Sequence, residues 1–247
     1  PVIFKTGFAA FITGMKWKPT REIFGILPMI AGSFAIMAGA MIVSVPFALC
    51  CSIYLAEFAG DLMRRVVKPA IELLAGIPSV VYGFIGVTVL VPFIKNYIGG
   101  NGFSVLGCSL VLGVMVLPTI TSISYDALRA VPVSYREGAL ALGATRWQAV
   151  KMAVVPAASS GIIAAVILGM GRAIGETMAV IMIAGNSLIV PLSPLDPVRT
   201  LTSNIALEMG YASGSHRQAL FATGVVLFII IMALNVLASR IINRAVK

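Results

Sequence analysis

Charged residues are scarce in this chain. They make up 11% of its 247 residues, against 59% for hydrophobic residues, whereas about a quarter of the residues in a soluble domain are charged. This scarcity excludes a soluble globular domain. Six stretches contain no charged residue, and each is near or above the roughly 20 residues that an α-helix needs to cross a bilayer: 23–56, 73–94, 96–125, 152–171, 177–195 and 218–239. The sequence therefore predicts an all-α, polytopic membrane helical bundle in a lipid bilayer.

Histidine and cysteine are also rare. Cys50, Cys51 and Cys108 lie within apolar stretches and lack metal-ligand spacing, so we interpret them as small core residues. The single histidine, His216, cannot complete a nucleophile–base pair or a set of metal ligands. We interpret it as a solvated residue of an external loop, and the sequence predicts no catalytic residue, no metal and no cofactor.

The net charge of +9 raises the question of nucleic acid binding. The basic residues stand singly between apolar stretches, and no dense basic run exists. Nucleic-acid-binding proteins concentrate their basic residues on one face or along one helix. Membrane topology therefore explains the excess of Lys and Arg better, and no nucleic acid partner is predicted.

The basic residues also indicate how many times the chain crosses the membrane. The region 152–195 fits two short helices that turn at Arg172–Glu176, or one helix over 157–185 that contains both charges. One helix leaves more Lys and Arg on the cytoplasmic side and is favoured by the positive-inside rule. The prediction is an external N-terminal segment over 1–25, a cytoplasmic C-terminus and five spans: 26–54, 72–94, 104–124, 157–185 and 218–239.

The segment Ser134–Gln148 is polar and carries helix-capping signals. Ser134-Tyr135-Arg136-Glu137 and Thr145-Arg146-Trp147-Gln148 each fit a capping box, and Gly143 between them is typical of a helix end. The pattern predicts two short helices joined by a glycine turn. Two interpretations stay open on these residues alone: a docking element for another subunit, or an interfacial loop that places Trp147 among lipid headgroups.

The same segment resembles the EAA loop of ABC-importer permeases. Glu137-Gly138-Ala139 is followed at the expected spacing by Gly143 and by Val155-Pro156, while Gly138, Ala153 and Val155 depart modestly from the pattern. Further stretches resemble the phosphate-uptake permeases, and the first of them favours the PstC-type subunit over the PstA-type subunit: 24–28, 53–57, 74–83 and 171–180.

The resemblance implies the transmembrane permease subunit of an ATP-driven phosphate importer in the prokaryotic inner membrane. Its fold would be the type I ABC-importer permease, with a transmembrane domain over 26–247 and a sixth span that precedes Pro1. The implied partners are a second permease that completes a heterodimer, two ATP-binding subunits that hydrolyse ATP, and an external phosphate-binding protein. The residues implied in coupling to the ATPase are Glu137, Gly138, Ala139, Gly143 and Pro156.

Two charges inside an apolar run, Arg172 and Glu176, are candidates for the substrate pathway. A charge at the centre of a membrane helix costs about 2.5–3.5 kcal/mol, so each requires a reason to be there. Their four-residue spacing puts both on one helix face, although Arg before Glu is the weaker order for a helical ion pair. The guanidinium fork matches the geometry of phosphate oxygens. A structural ion pair remains an alternative for both residues, and the role of Glu176 stays open.

Three other functions fit the sequence less well. The first is a permease for another oxyanion, such as molybdate or sulfate. The second is a secondary phosphate carrier without ATPase subunits, which would have no need of the segment Ser134–Gln148, and no inverted repeat is visible. The third is a membrane enzyme, for which the residues of a catalytic site are missing.

Overall fold

The chain is helical over most of its length. The computed structural model describes residues 7–245, and it describes the side chains in this range except those of 238 and 241–245. Residues 1–6 of the predicted external segment 1–25, and 246–247 at the end of the predicted domain 26–247, lie outside the described residues. The helices are α1 (Phe8–Thr13), α2 (Leu27–Phe58), α3 (Asp61–Ala75), α4 (Ser79–Ile98), α5 (Val105–Arg129), α6 (Val133–Ala141), α7 (Arg146–Ala157), α8 (Ser159–Gly175), α9 (Met178–Ile183), α10 (Leu201–Glu208) and α11 (Gly214–Ala245).

Four of these helices are long and apolar enough to cross a membrane: α2, α4, α5 and α11 as far as Leu237. The pair α7 and α8 passes the same test together and bends by 69° at Ala158, so it counts as a fifth span if the bent pair is one crossing. The only strands among residues 7–245 are a short hairpin of β1 (Trp17–Lys18) and β2 (Ile23–Phe24). The all-α membrane bundle predicted from the sequence is confirmed.

The predicted span 72–94 begins in the wrong place. Its first residues belong to α3, and Gly76–Pro78 separates them from α4, which begins at Ser79 and continues to Ile98. Pro78 is the extended N-cap of α4, with ψ of 137°, and it disfavours a helical conformation at Ile77 before it, so α3 does not continue into α4. The uncharged stretch beginning at position 73 therefore combined the end of an amphipathic helix with the start of a span.

The predicted single helix over 157–185 is also wrong in its continuity. Helix α8 ends at Gly175, and α9 begins at Met178 after a non-helical break. The two-helix alternative does not fit either, because α9 has six residues and is only about 9 Å long. Residues 186–197 are irregular, as their prolines predict, whereas the helix α10 that follows was not predicted.

Contacts within the chain divide it into two compact units. One contains the chain up to Ala40 together with Pro78–Gly113 and Arg172–Ala233; the other contains Met41–Ile77, Val114–Gly171 and the chain from Leu234. One buried cluster of the first unit packs aromatic side chains of α1 and the hairpin against α2, α10 and α11: Phe11, Trp17, Phe24, Met29, Leu201 and Leu220. One buried cluster of the second unit joins the ends of α2, α5 and α7: Ala56, Leu128, Val131, Val154 and Ala158.

Candidate functional site

The two short helices predicted over 134–148 are present, but the N-cap of the first lies two residues before the predicted Ser134. Helix α6 begins at Val133, with Pro132 in the N-cap position and no side-chain cap. The Ser134–Glu137 capping box is therefore wrong. Ser134 is the second residue of the helix, and it cannot serve as the N-cap because the N-cap is the non-helical residue that precedes the first turn.

The turn between the helices is the glycine turn that the sequence predicts. The amide of Gly143 donates to the carbonyl of Leu140 at 2.9 Å, and the amide of Ala144 donates to that of Ala139 at 3.2 Å. These are the two bonds of a Schellman motif, which requires a left-handed residue at the position that Gly143 occupies with φ of 84°. The second capping box, between Thr145 and Gln148, is confirmed in both of its hydrogen bonds.

The outer surface of this segment is open to contact. Glu137, Gly138, Gly143 and Pro156 are exposed, while Ala139 is half-buried. Large apolar side chains lie among these polar groups, with Leu142 91% exposed, Met152 75% and Trp147 56%. A groove of about 730 Å³ runs beside them and is lined by Tyr135, Met152, Ala153, Pro156, Ala157, Ser159 and Ser160.

The inner surface of the segment carries an ion pair that sequence reasoning missed. Arg136 Nη2 lies 2.6 Å from Glu57 Oε1, and the side chains are 19% and 7% exposed. The hydrogen bond from Arg136 to this carboxylate raises the pKa of the guanidinium. Nothing in the local sequence signals the contact, because 79 residues separate the partners.

Arg172 and Glu176 lie at the break between α8 and α9. Arg172 is half-buried in the last turn of α8, where the negative end of the helix dipole favours a cation. It interacts electrostatically with the hydroxyl of Tyr82. The Glu176 carboxylate accepts a hydrogen bond from the amide of Ala179 at 3.2 Å. The backbone carbonyl of Glu176 accepts one from the Thr202 hydroxyl at 2.9 Å. Glu176 thus caps the start of α9.

The prediction that His216 is a solvated residue is wrong. Its side chain is 13% exposed, and Nε2 lies 2.8 Å from the carboxylate of Glu208. The same carboxylate accepts hydrogen bonds from Trp17 Nε1 and from Arg199 Nη1, both at 2.7 Å. This Glu208 cluster joins the hairpin, α10 and the start of α11. Its partners come from distant parts of the sequence, so no local motif could have indicated it.

Within residues 7–245, no group of three or more His, Cys, Asp and Glu side chains is arranged to hold a metal ion. The geometry that the described residues do provide is a stiff, exposed two-helix segment and a pair of charges at a helix break. The first is suited to contact with another protein. The second places a guanidinium and a carboxylate within an otherwise apolar region.

Comparison with known proteins gives the chain close relatives. A family described as "Binding-protein-dependent transport system inner membrane component" matches residues 48–247. The probable ABC transporter permease protein YqgH of Bacillus subtilis is 47% identical over 239 residues, which cover 93% of this chain and 77% of that protein. The phosphate transport system permease protein PstC of Xylella fastidiosa is 38% identical and is matched over 95% of this chain and 79% of its own length.

Solved structures share the fold at lower identity. An inward-facing structure of the MetNI methionine ABC transporter has a TM-score of 0.68 and 17% identity, over 94% of this chain and 100% of that one. A bacterial ABC transporter involved in the import of alginate has a TM-score of 0.70 and 15% identity, over 100% and 87%. The type I ABC-importer permease fold and the resemblance to PstC-type permeases are confirmed. The chain belongs to the family of binding-protein-dependent transport system inner membrane components and is a membrane permease of an ABC importer.

Proposed function

We propose that this chain is the PstC-type permease subunit of an ATP-driven phosphate importer and forms half of a heterodimeric translocation pathway. Relatives described as phosphate transport permeases, 38% identical in one case, support the choice of substrate. The proposed partners are a second permease, two ATP-binding subunits and an external phosphate-binding protein. The single observation that supports coupling to an ATP-binding subunit is the exposed segment 134–148, which is stabilised by a Schellman turn and by the Thr145 capping box.

The coupling surface consists of Glu137, Gly138, Ala139, Gly143 and Pro156. The Schellman turn and the Thr145 capping box fix the two helices relative to each other, so a push on one is passed to the other rather than absorbed in a flexible loop. Exposed Leu142 and Met152 supply apolar area for a protein contact. An interfacial loop would need only Trp147 and one apolar face.

The proposed anion path passes Arg172 and Glu176. Arg172 provides a permanent positive charge and a fork of N–H donors for phosphate oxygens. Glu176 holds the break between α8 and α9 through the amide of Ala179, and this break keeps the guanidinium at a helix end rather than in mid-helix. Neither residue transfers a proton or forms a bond in this proposal, because transport changes only the position of phosphate.

Orientation follows from the same proposal, with residues 1–25 outside and both the segment 134–148 and the C-terminus in the cytoplasm. In a chain that lacks Cys50, Cys51 and Cys108 and is expressed without the ATP-binding subunits, so that no partner covers Leu142, we expect Leu142→Cys to react with a membrane-impermeant maleimide only from the cytoplasmic face and Leu192→Cys only from outside. Both positions are more than 90% exposed, so access to the reagent decides the result. Labelling of both from one face would overturn the orientation.

The substrate is tested by competition. Membrane vesicles that contain the assembled complex and the binding protein should take up radiolabelled phosphate, and excess unlabelled phosphate should abolish the signal. Molybdate and sulfate at the same excess should leave it largely unchanged. Stronger competition by either of these anions would identify this chain as a permease for another oxyanion.

A further inference from the structure

The carboxylate of Glu57 and the guanidinium of Arg136 form a fork-like contact in the second compact unit. Arg136 Nη2 donates to Glu57 Oε1 at 2.6 Å, and Nε donates to Oε2 at 3.0 Å. Glu57 lies in the π-helical last turn of α2, and Arg136 lies in α6. Two parallel charge-assisted hydrogen bonds fix direction as well as distance, so the end of α2 and α6 are held in one relative orientation.

The same guanidinium also holds the end of α5. Arg136 Nη1 donates to the carbonyl of Val131 at 2.7 Å, and Nη2 donates to that of Leu128 at 2.9 Å. Leu128 is in the last turn of α5, whose final carbonyls have no partner within the helix. Arg136 therefore connects three elements through one rigid planar group.

The second helix of the segment contacts the same end of α2. Arg146, the first residue of α7, donates from Nη2 to the carbonyl of Glu57 at 3.1 Å, and its guanidinium lies 5.8 Å from the Phe58 ring centre. The Phe58 and Trp147 rings are 6.2 Å apart. Both helices of the segment are thus attached to one point, the last turn of α2.

This attachment differs from a surface ion pair of the same unit. Lys68 and Asp126 are joined by one bond of 2.9 Å, with side chains 36% and 61% exposed, and such pairs contribute little. The Glu57 side chain is 7% exposed. Removing one member of such a pair leaves the other charge without compensation, so the loss of this contact should have a larger effect than the loss of the Lys68–Asp126 pair.

We infer that Glu57, acting through Arg136, is the positioning residue that transmits movement of the segment 134–148 to the end of α2. This inference rests on the proposed function and assigns the coupling step to a defined joint. A push on α6 by an ATP-binding subunit moves the Arg136 fork, and the fork moves Glu57 and the end of α2 with it. Without the fork, ATP hydrolysis should continue while less phosphate is transported for each ATP hydrolysed.

The test uses the complete complex of both permeases and the ATP-binding subunits in proteoliposomes with the phosphate-binding protein. The readout is radiolabelled phosphate transported per ATP hydrolysed, together with the amount of ATP-binding subunit that copurifies. Glu57→Gln should leave copurification unchanged and lower the transport ratio at least tenfold. Arg136→Lys keeps the charge but cannot reach Glu57 and both carbonyls at once, so it should lower the ratio several-fold. Asp126→Asn is the matched control and should not change it.

Three results would overturn the inference. An unchanged ratio in Glu57→Gln would show that the fork does not transmit movement. Reduced assembly with a normal ratio per assembled complex, or loss of assembly in both fork variants, would show a purely structural role. If the complex with the unaltered chain transports no phosphate on hydrolysing ATP, the proposed function itself is wrong, and this outcome is recognised before any variant is compared.

Discussion

Replacing Arg172 by glutamine is expected to lower phosphate uptake by about 10- to 100-fold, with the amount of assembled complex unchanged. A hydrogen bond to a charged group contributes about 1.5–3 kcal/mol, and 1.4 kcal/mol corresponds to a factor of ten. Glutamine is neutral and loses the guanidinium fork. Arg172→Lys should be impaired to a smaller degree, because the charge remains while the paired donors are lost. The measurement is uptake of radiolabelled phosphate into vesicles, normalised to assembled complex.

Glu176 provides the control for this result. Its carboxylate caps α9 through the amide of Ala179, so Glu176→Gln, which keeps an acceptor oxygen, should reduce uptake less than Arg172→Gln. A purely structural ion pair predicts another pattern: each single neutral variant lowers complex abundance, and the double neutral variant restores it. Full uptake by the double variant would rule out a transport role for Arg172.

Glu208→Gln is expected to lower the free energy of unfolding by about 3 kcal/mol, because breaking one side of a buried ion pair leaves the other charge unpaired. The carboxylate has three donors, from Trp17, Arg199 and His216. An amide offers one acceptor oxygen in place of two, so at least one of these donors loses its partner. The measurement is unfolding of the purified chain by SDS in mixed micelles, followed by circular dichroism at the helix band.

The matched control is Glu22→Gln. Glu22 also joins the hairpin region to α11, through a hydrogen bond of 2.9 Å from the Ser215 hydroxyl, but this contact is exposed. Its loss should change the free energy of unfolding by less than about 1 kcal/mol. Equal effects of Glu22→Gln and Glu208→Gln would contradict the view that the Glu208 cluster is the main polar connection of this region.

Three of the five membrane spans, 26–54, 104–124 and 218–239, and the Gly143 turn were predictable because their signals are local. A run of about 20 uncharged residues predicts a helix that spans the membrane. A glycine followed by a Thr–Gln capping box predicts the end of one helix and the start of the next. The start of α4 was misplaced because the absence of charge does not show where one helix ends and the next begins. The uncharged run 73–94 continues from the end of α3 across Gly76–Pro78 into α4 without a change in composition.

The contacts that attach the candidate coupling segment, and those that attach the hairpin, could not be predicted. Glu57 and Arg136 are 79 residues apart, and Trp17 and Glu208 are 191 residues apart. In the sequence, each of these four residues is an ordinary charged or aromatic residue near an apolar stretch. A break at Arg172–Glu176 was weighed but not chosen, because a glutamate that caps a helix with its own side chain looks the same in the sequence as a charge within a continuous helix.

The most direct measurement is phosphate uptake into proteoliposomes that contain the complete complex, with the binding protein outside and ATP sealed inside. The account predicts uptake against a phosphate gradient with ATP, and none when ATP is replaced by a non-hydrolysable analogue or when the ATP-binding subunits are left out. Phosphate accumulation by the permeases alone, driven by an ion gradient and indifferent to ATP, would contradict it and identify a secondary carrier.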